Sequence, residues 1–357
     1  TMTATIARQF AQFVCSGVRI PDAALRAADR AMFDTLGAMI AGGAHPSVKA
    51  VADAQPRHFG QSTVVTGGLV DSDAAAVING TAAHVWDIDD TSYTGIMHGS
   101  AVILPAVLAL AQEREVSGET LRSAFILGSE VTYALADICT HDHYFQGWWS
   151  TVTLGLVGAT AAAGLILELS EDQMTAAIGT AAAASGGGKV VFGTDAKPVL
   201  VGLTARQAIS IARMAGAGIS GPERAFEDSR GFLKLLNGDK AEKHVLSTLG
   251  QHWRLVTPGL LFKSNPVCSA AQAAIDQMQM LMSELDAAPD DIAEIRAEVP
   301  ELVYISLVYP DPRTPQEAQF SLPFALACGA RHGRVRFEDL TANALGDPSL
   351  RSLMAKV

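Results

Sequence analysis

The sequence predicts a mainly α protein, with a large all-helical domain over residues 1–255 and a smaller α+β lid domain over 256–357. Three observations carry this. Of 357 residues, 49% are hydrophobic and 18% charged, which permits a large buried core and argues against disorder. Through most of the first 255 residues, apolar positions recur at three- and four-residue spacing, and several segments are apolar nearly all round, as in the central helices of a layered helical domain. The texture then changes: DIAEIRAEVPELVYISLV (291–308), rich in β-branched residues, reads as a strand between two helical segments, SAAQAAIDQMQMLMSEL (269–285) and TPQEAQFSLPFALACGAR (314–331).

The helical segments follow in order. PDAALRAADRAMFDTLGAMIAG opens on Pro21-Asp22 and stops at Gly42-Gly43. SDAAAVINGTAAHVWDIDD begins at Ser72, a residue type that caps helix N-termini. SAVILPAVLALAQERE, TLRSAFILGSEVTYALADICT, TLGLVGATAAAGLILEL, SEDQMTAAIGTAAAAS and TARQAISIARMAGAGISG continue the pattern, and their many Ala and Gly residues let helix axes approach closely. Residues 144–167 carry no charge for 24 residues, a length that could span a bilayer. Their Gly, Ala and Thr content and the absence of flanking Lys or Arg point instead to a closely packed core helix.

Net charge is −11, with no basic run longer than two residues, which excludes a nucleic-acid partner but not an anionic substrate in a locally cationic pocket. Cys15, Cys139, Cys268 and Cys328 are far apart and form no CxxC pair, so neither a zinc site nor a disulfide framework is expected, and a reducing compartment fits. The first 25 residues lack a basic region followed by an apolar core. A cytoplasmic protein with no membrane partner is the expectation.

The chemistry concentrates in HVWDIDDTSYTGIMHGSAVIL (84–104). If residues 73–92 form one helix, Asp87, Asp90 and Thr91 share a face while Asp89 points elsewhere. The SYTGIM loop then lets His98 fold back beside the helix end, where an Asp–Thr–His cluster could orient an imidazole for proton transfer. A solvated helix end would account for the same acids. So would a Mg²⁺–diphosphate site, but that needs a second acidic cluster and a basic clamp, and FEDSRG (226–231) is a poor candidate. Lys197 and Lys263 each lie in a loop leading into a helix N-terminus, a setting that favours anions. Each could equally be an ordinary surface lysine. Together they would suit a substrate with two or three carboxylates and stabilise the charge formed when a proton leaves carbon next to one.

These residues together resemble the MmgE/PrpD family, which includes 2-methylcitrate dehydratase, cis-aconitate decarboxylase and iminodisuccinate epimerase. NGTAAHVWDIDDTSYTGIMHGSAVILPAVLAL (79–110) is similar to the family's NGxxxHxxDFDDT passage with its following HPS loop. FGTDAKPVLVGLTARQAI, GISGPERAFEDSRGF, LLFKSNPVC and DPRTPQEAQFSLPFALA resemble further family segments, in the right order across nearly the whole chain. The resemblance implies a helical domain carrying most of the site, an α+β lid, a homodimer, and neither metal nor organic cofactor. It places the family's catalytic aspartate, threonine and histidine on Asp87, Thr91 and His98, its two substrate-side lysines on Lys197 and Lys263, and a lid tyrosine on Tyr309, with Tyr304 as the alternative.

The sequence also departs from the pattern. Trp149 in GWWSTVTLG, Leu200 in KPVLVG and Cys268 stand where family histidines would be, with Trp149 and Cys268 expected to line the substrate. An indole donates one hydrogen bond and cannot shuttle protons at neutral pH. The chain ends at Val357, where the resemblance expects a return segment of the helical domain. Three readings follow in order: a dehydratase-like lyase acting on a small di- or tricarboxylate by α-proton abstraction, an epimerase or isomerase of a dicarboxylate, and a non-catalytic protein of the same fold that binds an anionic metabolite. Elimination needs an acid for the departing hydroxyl as well as a base, whereas epimerisation needs only a proton out and back.

Overall fold

The computed structural model describes residues 4–56 and 59–357. It divides into two compact units: the first comprises residues up to Val85, Asp89–Val190 and Pro198–Leu261, the second Trp86–Ile88, Val191–Lys197 and Phe262–Val357.

The first unit is a stack of helices. α1 (Ile6–Cys15), α2 (Asp22–Gly42) and α3 (Pro46–Ala54) lead to a two-stranded antiparallel ribbon, β1 (Ser62–Thr63) and β2 (Leu69–Val70). α4 (Ser72–His84) starts one residue earlier than the Ser72 cap expected: Asp71 is the cap, and its side chain accepts from the Ala74 N–H. α5 (Gly99–Arg114), α6 (Gly118–Cys139), the short α7 (Asp142–Phe145), α8 (Ser150–Ile166) and α9 (Glu171–Ala184) follow. α9 carries a full capping box, with Ser170 and Gln173 satisfying each other's backbone N–H groups. α10 (Ala196–Gly216) and α11 (Phe232–Asn237) complete the long helical half.

α5 and α8 are buried along nearly their whole length, which answers the uncharged stretch at 144–167: its residues 150–166 are a core helix. No helix among the described residues is long and apolar enough to cross a membrane. Packing this tight depends on glycine. A Cβ at Gly158 of α8 would collide with Thr132 Oγ1 and the Gly128 carbonyl of α6, and one at Gly128 would lie 2.6 Å from the Ala162 Cβ.

In the second unit, α12 (Ser269–Leu285) packs on α15 (Leu322–His332), with α13 (Glu301–Ser306), α14 (Pro315–Ala318), α16 (Ala342–Leu345) and α17 (Pro348–Met354) around them. The expectation of a mainly α fold with a little sheet holds, but the sheet lies at residues 62–70, and the stretch expected as a strand is not one. Residues 292–300 form no regular element, and Glu301–Ser306 is helical. Ile292 and Ile295 satisfy their apolar character by packing on Met278, Leu326 and Ala330, and the Ile295 N–H bonds to the Lys356 carbonyl. No second strand lies beside them among the described residues, and a strand needs a partner to exist as one. The segment read as a single helix at 314–331 is two, α14 and α15. It breaks where Ser321 caps α15 by accepting from the Phe324 N–H.

Two predictions follow. Gly158→Ala should destabilise the chain by about 1–3 kcal/mol, the usual cost of overpacking a core; an unchanged urea midpoint would show that α6 and α8 yield easily. His143, stacked between Trp148 and Phe232, is held neutral by burial, its pKa lowered from 6.5 to about 4. Between those values the unfolded chain binds the extra proton, so stability falls as pH drops through this window, by up to about 3 kcal/mol near pH 4. Denaturant midpoints measured from pH 7 to 4 should show this slope, and His143→Gln should flatten it.

Candidate active site

The acidic stretch is not the end of one long helix. α4 stops at His84, and Asp87 adopts a left-handed backbone with φ of 51°, so Asp87 and Thr91 do not share a helical face. The cause is chemical: Asp87, Asp89 and Asp90 are each at most 1% exposed. Carboxylates without water need donors, and a turn can aim each at a different partner where a helix would hold them in fixed register.

In the second unit, Asp87 is an anchor for both lysines. Lys263 Nζ donates to Asp87 Oδ1 at 2.8 Å and to the Asp87 carbonyl at 2.7 Å, and Lys197 Nζ lies 3.4 Å from the same Oδ1. All three side chains are 5% exposed or less, so neither lysine is a surface residue. Lys197, the second residue of α10, also lies 5.0 Å from the Phe320 ring centroid and 5.7 Å from that of Phe192. Among these three groups the charge is one anion against two cations. Cys268 caps α12 in the same unit, its N–H bonded to the Gln319 carbonyl. Burial first and the Asp87 charge second push its thiol upward, against the opposing pull of the two lysines, which leaves it neutral at physiological pH.

Tyr309 is half-buried. Its hydroxyl donates to the Phe192 carbonyl at 2.8 Å, and burial raises its pKa. The ring fills the space beside Gly193, where a Cβ would come within 2.5 Å of it. Tyr304 is 77% exposed on α13, so of the two tyrosines only Tyr309 is built into the unit.

In the first unit, a short turn closed by paired hydrogen bonds between Ser92 and Met97 returns the chain to His98, whose own N–H bonds to Thr151 Oγ1 of α8. His98 Nδ1 lies 2.8 Å from the Asp90 carbonyl, 3.4 Å from Thr91 Oγ1 and 3.5 Å from Asp89 Oδ2. A carbonyl can only accept, so Nδ1 carries the hydrogen and the neutral ring keeps its lone pair on Nε2. Thr91 thus stands where expected, and Asp89, expected to point away, lies against the imidazole. His84 is the residue that the spacing did not single out. It is wholly buried, its Nδ1 is 2.9 and 3.0 Å from the two Asp89 oxygens, and its ring centroid is 4.7 Å from that of His98. A histidine in an otherwise fully buried helix was the available signal. Trp149, the residue before α8, stacks on His84 at 5.7 Å and is 1% exposed, while Leu200 is half-buried on α10.

His84, Asp89 and His98 offer nitrogen and oxygen atoms close enough to hold a metal ion. The Nδ1 atoms of both histidines already carry hydrogens directed at oxygen, which leaves Nε2 as the ring atom with a lone pair to offer.

The second unit thus buries two lysines on one aspartate, and the first holds a histidine with a defined lone pair. Family models for the MmgE/PrpD N-terminal domain and the MmgE/PrpD C-terminal domain match residues 8–244 and 266–357, and the chain belongs to this family. Among curated relatives it is 27% identical over 293 residues to a Homo sapiens cis-aconitate decarboxylase, covering 79% of this chain and 60% of that protein. It is 26% identical over 295 residues to the Mus musculus cis-aconitate decarboxylase, covering 79% and 59%. The Aspergillus oryzae cis-aconitate decarboxylase-like protein oryM is 24% identical over 368 residues, covering 94% of this chain and 75% of that protein. The chain therefore spans about 60% of the length of the human and mouse relatives.

The lysine cluster makes a stability prediction. Asp87→Ala leaves two ammonium groups buried and should cost about 3–5 kcal/mol, whereas Lys263→Met leaves Asp87 facing Lys197 and should cost less. Equal losses in denaturant unfolding would contradict Asp87 as the shared anchor.

Proposed function

We propose that this chain is a lyase acting on a small di- or tricarboxylate, and that it removes a proton from carbon next to a carboxylate using its own side chains. The observation that carries this reading is the burial of Lys197 and Lys263 on a single carboxylate. Burying two ammonium groups is costly, and net positive charge among the three groups is the sense that suits a carboxylate substrate. In this reading the lysines bind substrate carboxylates and stabilise the charge that spreads onto oxygen as the proton leaves. His98 takes the proton at Nε2, with Nδ1–H held by the Asp90 carbonyl, the Thr91 hydroxyl at its edge and Asp89 as counter-charge to the imidazolium. Tyr309 is a second proton donor only if its hydroxyl releases the Phe192 carbonyl. Relatives named for cis-aconitate decarboxylation support a lyase acting on carboxylates and make cis-aconitate the first compound to test.

Epimerisation is the second reading. Trp149 favours it: a buried indole stacked on His84 occupies this position and offers no proton for a leaving hydroxyl.

Incubation in D₂O with cis-aconitate, 2-methylcitrate, malate and aspartate-derived dicarboxylates, followed by proton NMR, separates the readings. A new vinyl signal or loss of carboxylate supports the lyase, and deuterium entering a C–H position with all groups retained supports the epimerase. His98→Gln should lower turnover by about 100-fold or more, the scale of general acid–base catalysis, while binding of the same acid by calorimetry changes little. Tight binding with no reaction of any compound would point to a binding protein instead.

A further inference from the structure

His84 has no role in the proton transfer just described, yet its side chain is wholly buried against Asp89 and His98. We propose that His84 is a positioning residue: it holds the Asp89 carboxylate ionised and in place, so that the charge His98 takes up meets a fixed counter-charge. This rests on His98 as the proton-transfer group.

Asp89 is 0% exposed, and a carboxylate without water stays ionised only where donors replace its hydration. His84 supplies one: its Nδ1 faces both Asp89 oxygens, 3.0 Å from Oδ1 and 2.9 Å from Oδ2, and a carboxylate can only accept, so the hydrogen is on Nδ1. His84 in turn cannot rotate away. It is the last residue of α4, its side chain is fully buried, and its ring is stacked on Trp149 with the planes 28° apart and set against His98 at 4.7 Å. Asp89 Oδ2, fixed by this clamp, lies 3.5 Å from His98 Nδ1. His98 is thereby tied at Nδ1 to the Asp90 carbonyl and placed beside a negative charge, and a proton arriving at Nε2 makes an imidazolium whose counter-charge needs no reorganisation. Trp149 is part of the clamp, which gives a residue without acid–base chemistry a place in the proton transfer.

Two substitutions separate the hydrogen bond from the packing. Phenylalanine keeps a ring to stack on Trp149 but has no donor, whereas asparagine carries an amide N–H near the position of Nδ1 but no ring. In infrared spectra at neutral pH, His84→Phe should gain a protonated-carboxyl C=O band that disappears when Asp89→Asn is added. The wild type and His84→Asn should lack the band. With cis-aconitate or, failing turnover, 2-methylcitrate, kcat of His84→Phe should fall by about tenfold or more while KM stays within about threefold. His84→Asn should recover most of that loss. No protonated-carboxyl band in His84→Phe, or equal losses of kcat in both variants, would overturn the proposal and make His84 a packing residue. If His84→Phe does not fold, His84→Asn decides: a carboxyl band there overturns the proposal, and an ionised Asp89 with kcat retained to within about tenfold upholds it. His98→Gln tests the underlying reading separately. If it exchanges substrate protons as fast as wild type, His98 is not the transfer group, while the infrared comparison still decides whether His84 holds Asp89 ionised.

Discussion

A carboxylate removed from water must be given donors, and the run Asp87-Ile88-Asp89-Asp90 removes three of them at once. Much of the local architecture answers to that demand. Asp87 takes two lysine ammonium groups and Asp89 takes an imidazole N–H, while at Asp90 it is the backbone carbonyl, not the carboxylate, that accepts from His98. A regular helix could not deliver these groups to different partners, so α4 ends at His84 and the chain enters a turn in which Asp87 has a left-handed backbone.

The packing within the first unit is of the opposite character. α5 and α8 are apolar and buried almost throughout, and close approach at Gly128 and Gly158 leaves no room for adjustment. Under the proposed function, rigidity of this kind has a chemical use. His98 begins at the N-terminal edge of α5, its N–H is bonded to Thr151 on α8, and its ring position is inherited from helices that cannot easily move. The same holds for Trp149, whose N–H bonds to the Gly187 carbonyl and whose ring lies flat on His84. A histidine whose lone pair is set by such contacts keeps one tautomer, which proton transfer requires.

Much of the fold could be read directly, for a simple reason: apolar spacing at 3.6 residues is local information, and the expected helices are present, apart from the one cut short at His84 and the one split at Ser321. The misread segments were those whose conformation depends on distant groups. Residues 292–300 have strand-like composition, but composition does not supply a neighbouring strand. At the site, Thr91, His98 and the two lysines were legible because polar and cationic side chains stand out against an apolar sequence. Asp89 was assigned away from the histidine because helical geometry was extended past the residue where the helix ends. His84 was passed over because a lone histidine on an apolar helix ordinarily signals nothing beyond a satisfied hydrogen bond.

The amino-acid sequence by itself determined the helical class and the family, and it singled out the polar and cationic side chains set in an apolar chain, since each of these is written in residue type, order and spacing. Which acid serves which base was decided only by tertiary structure. Lys263 reaches Asp87 across 176 positions of sequence, and Thr151 reaches His98 across 53. The energy of a buried charge depends on the few ångströms around it, and those neighbours come from parts of the chain that no local pattern connects.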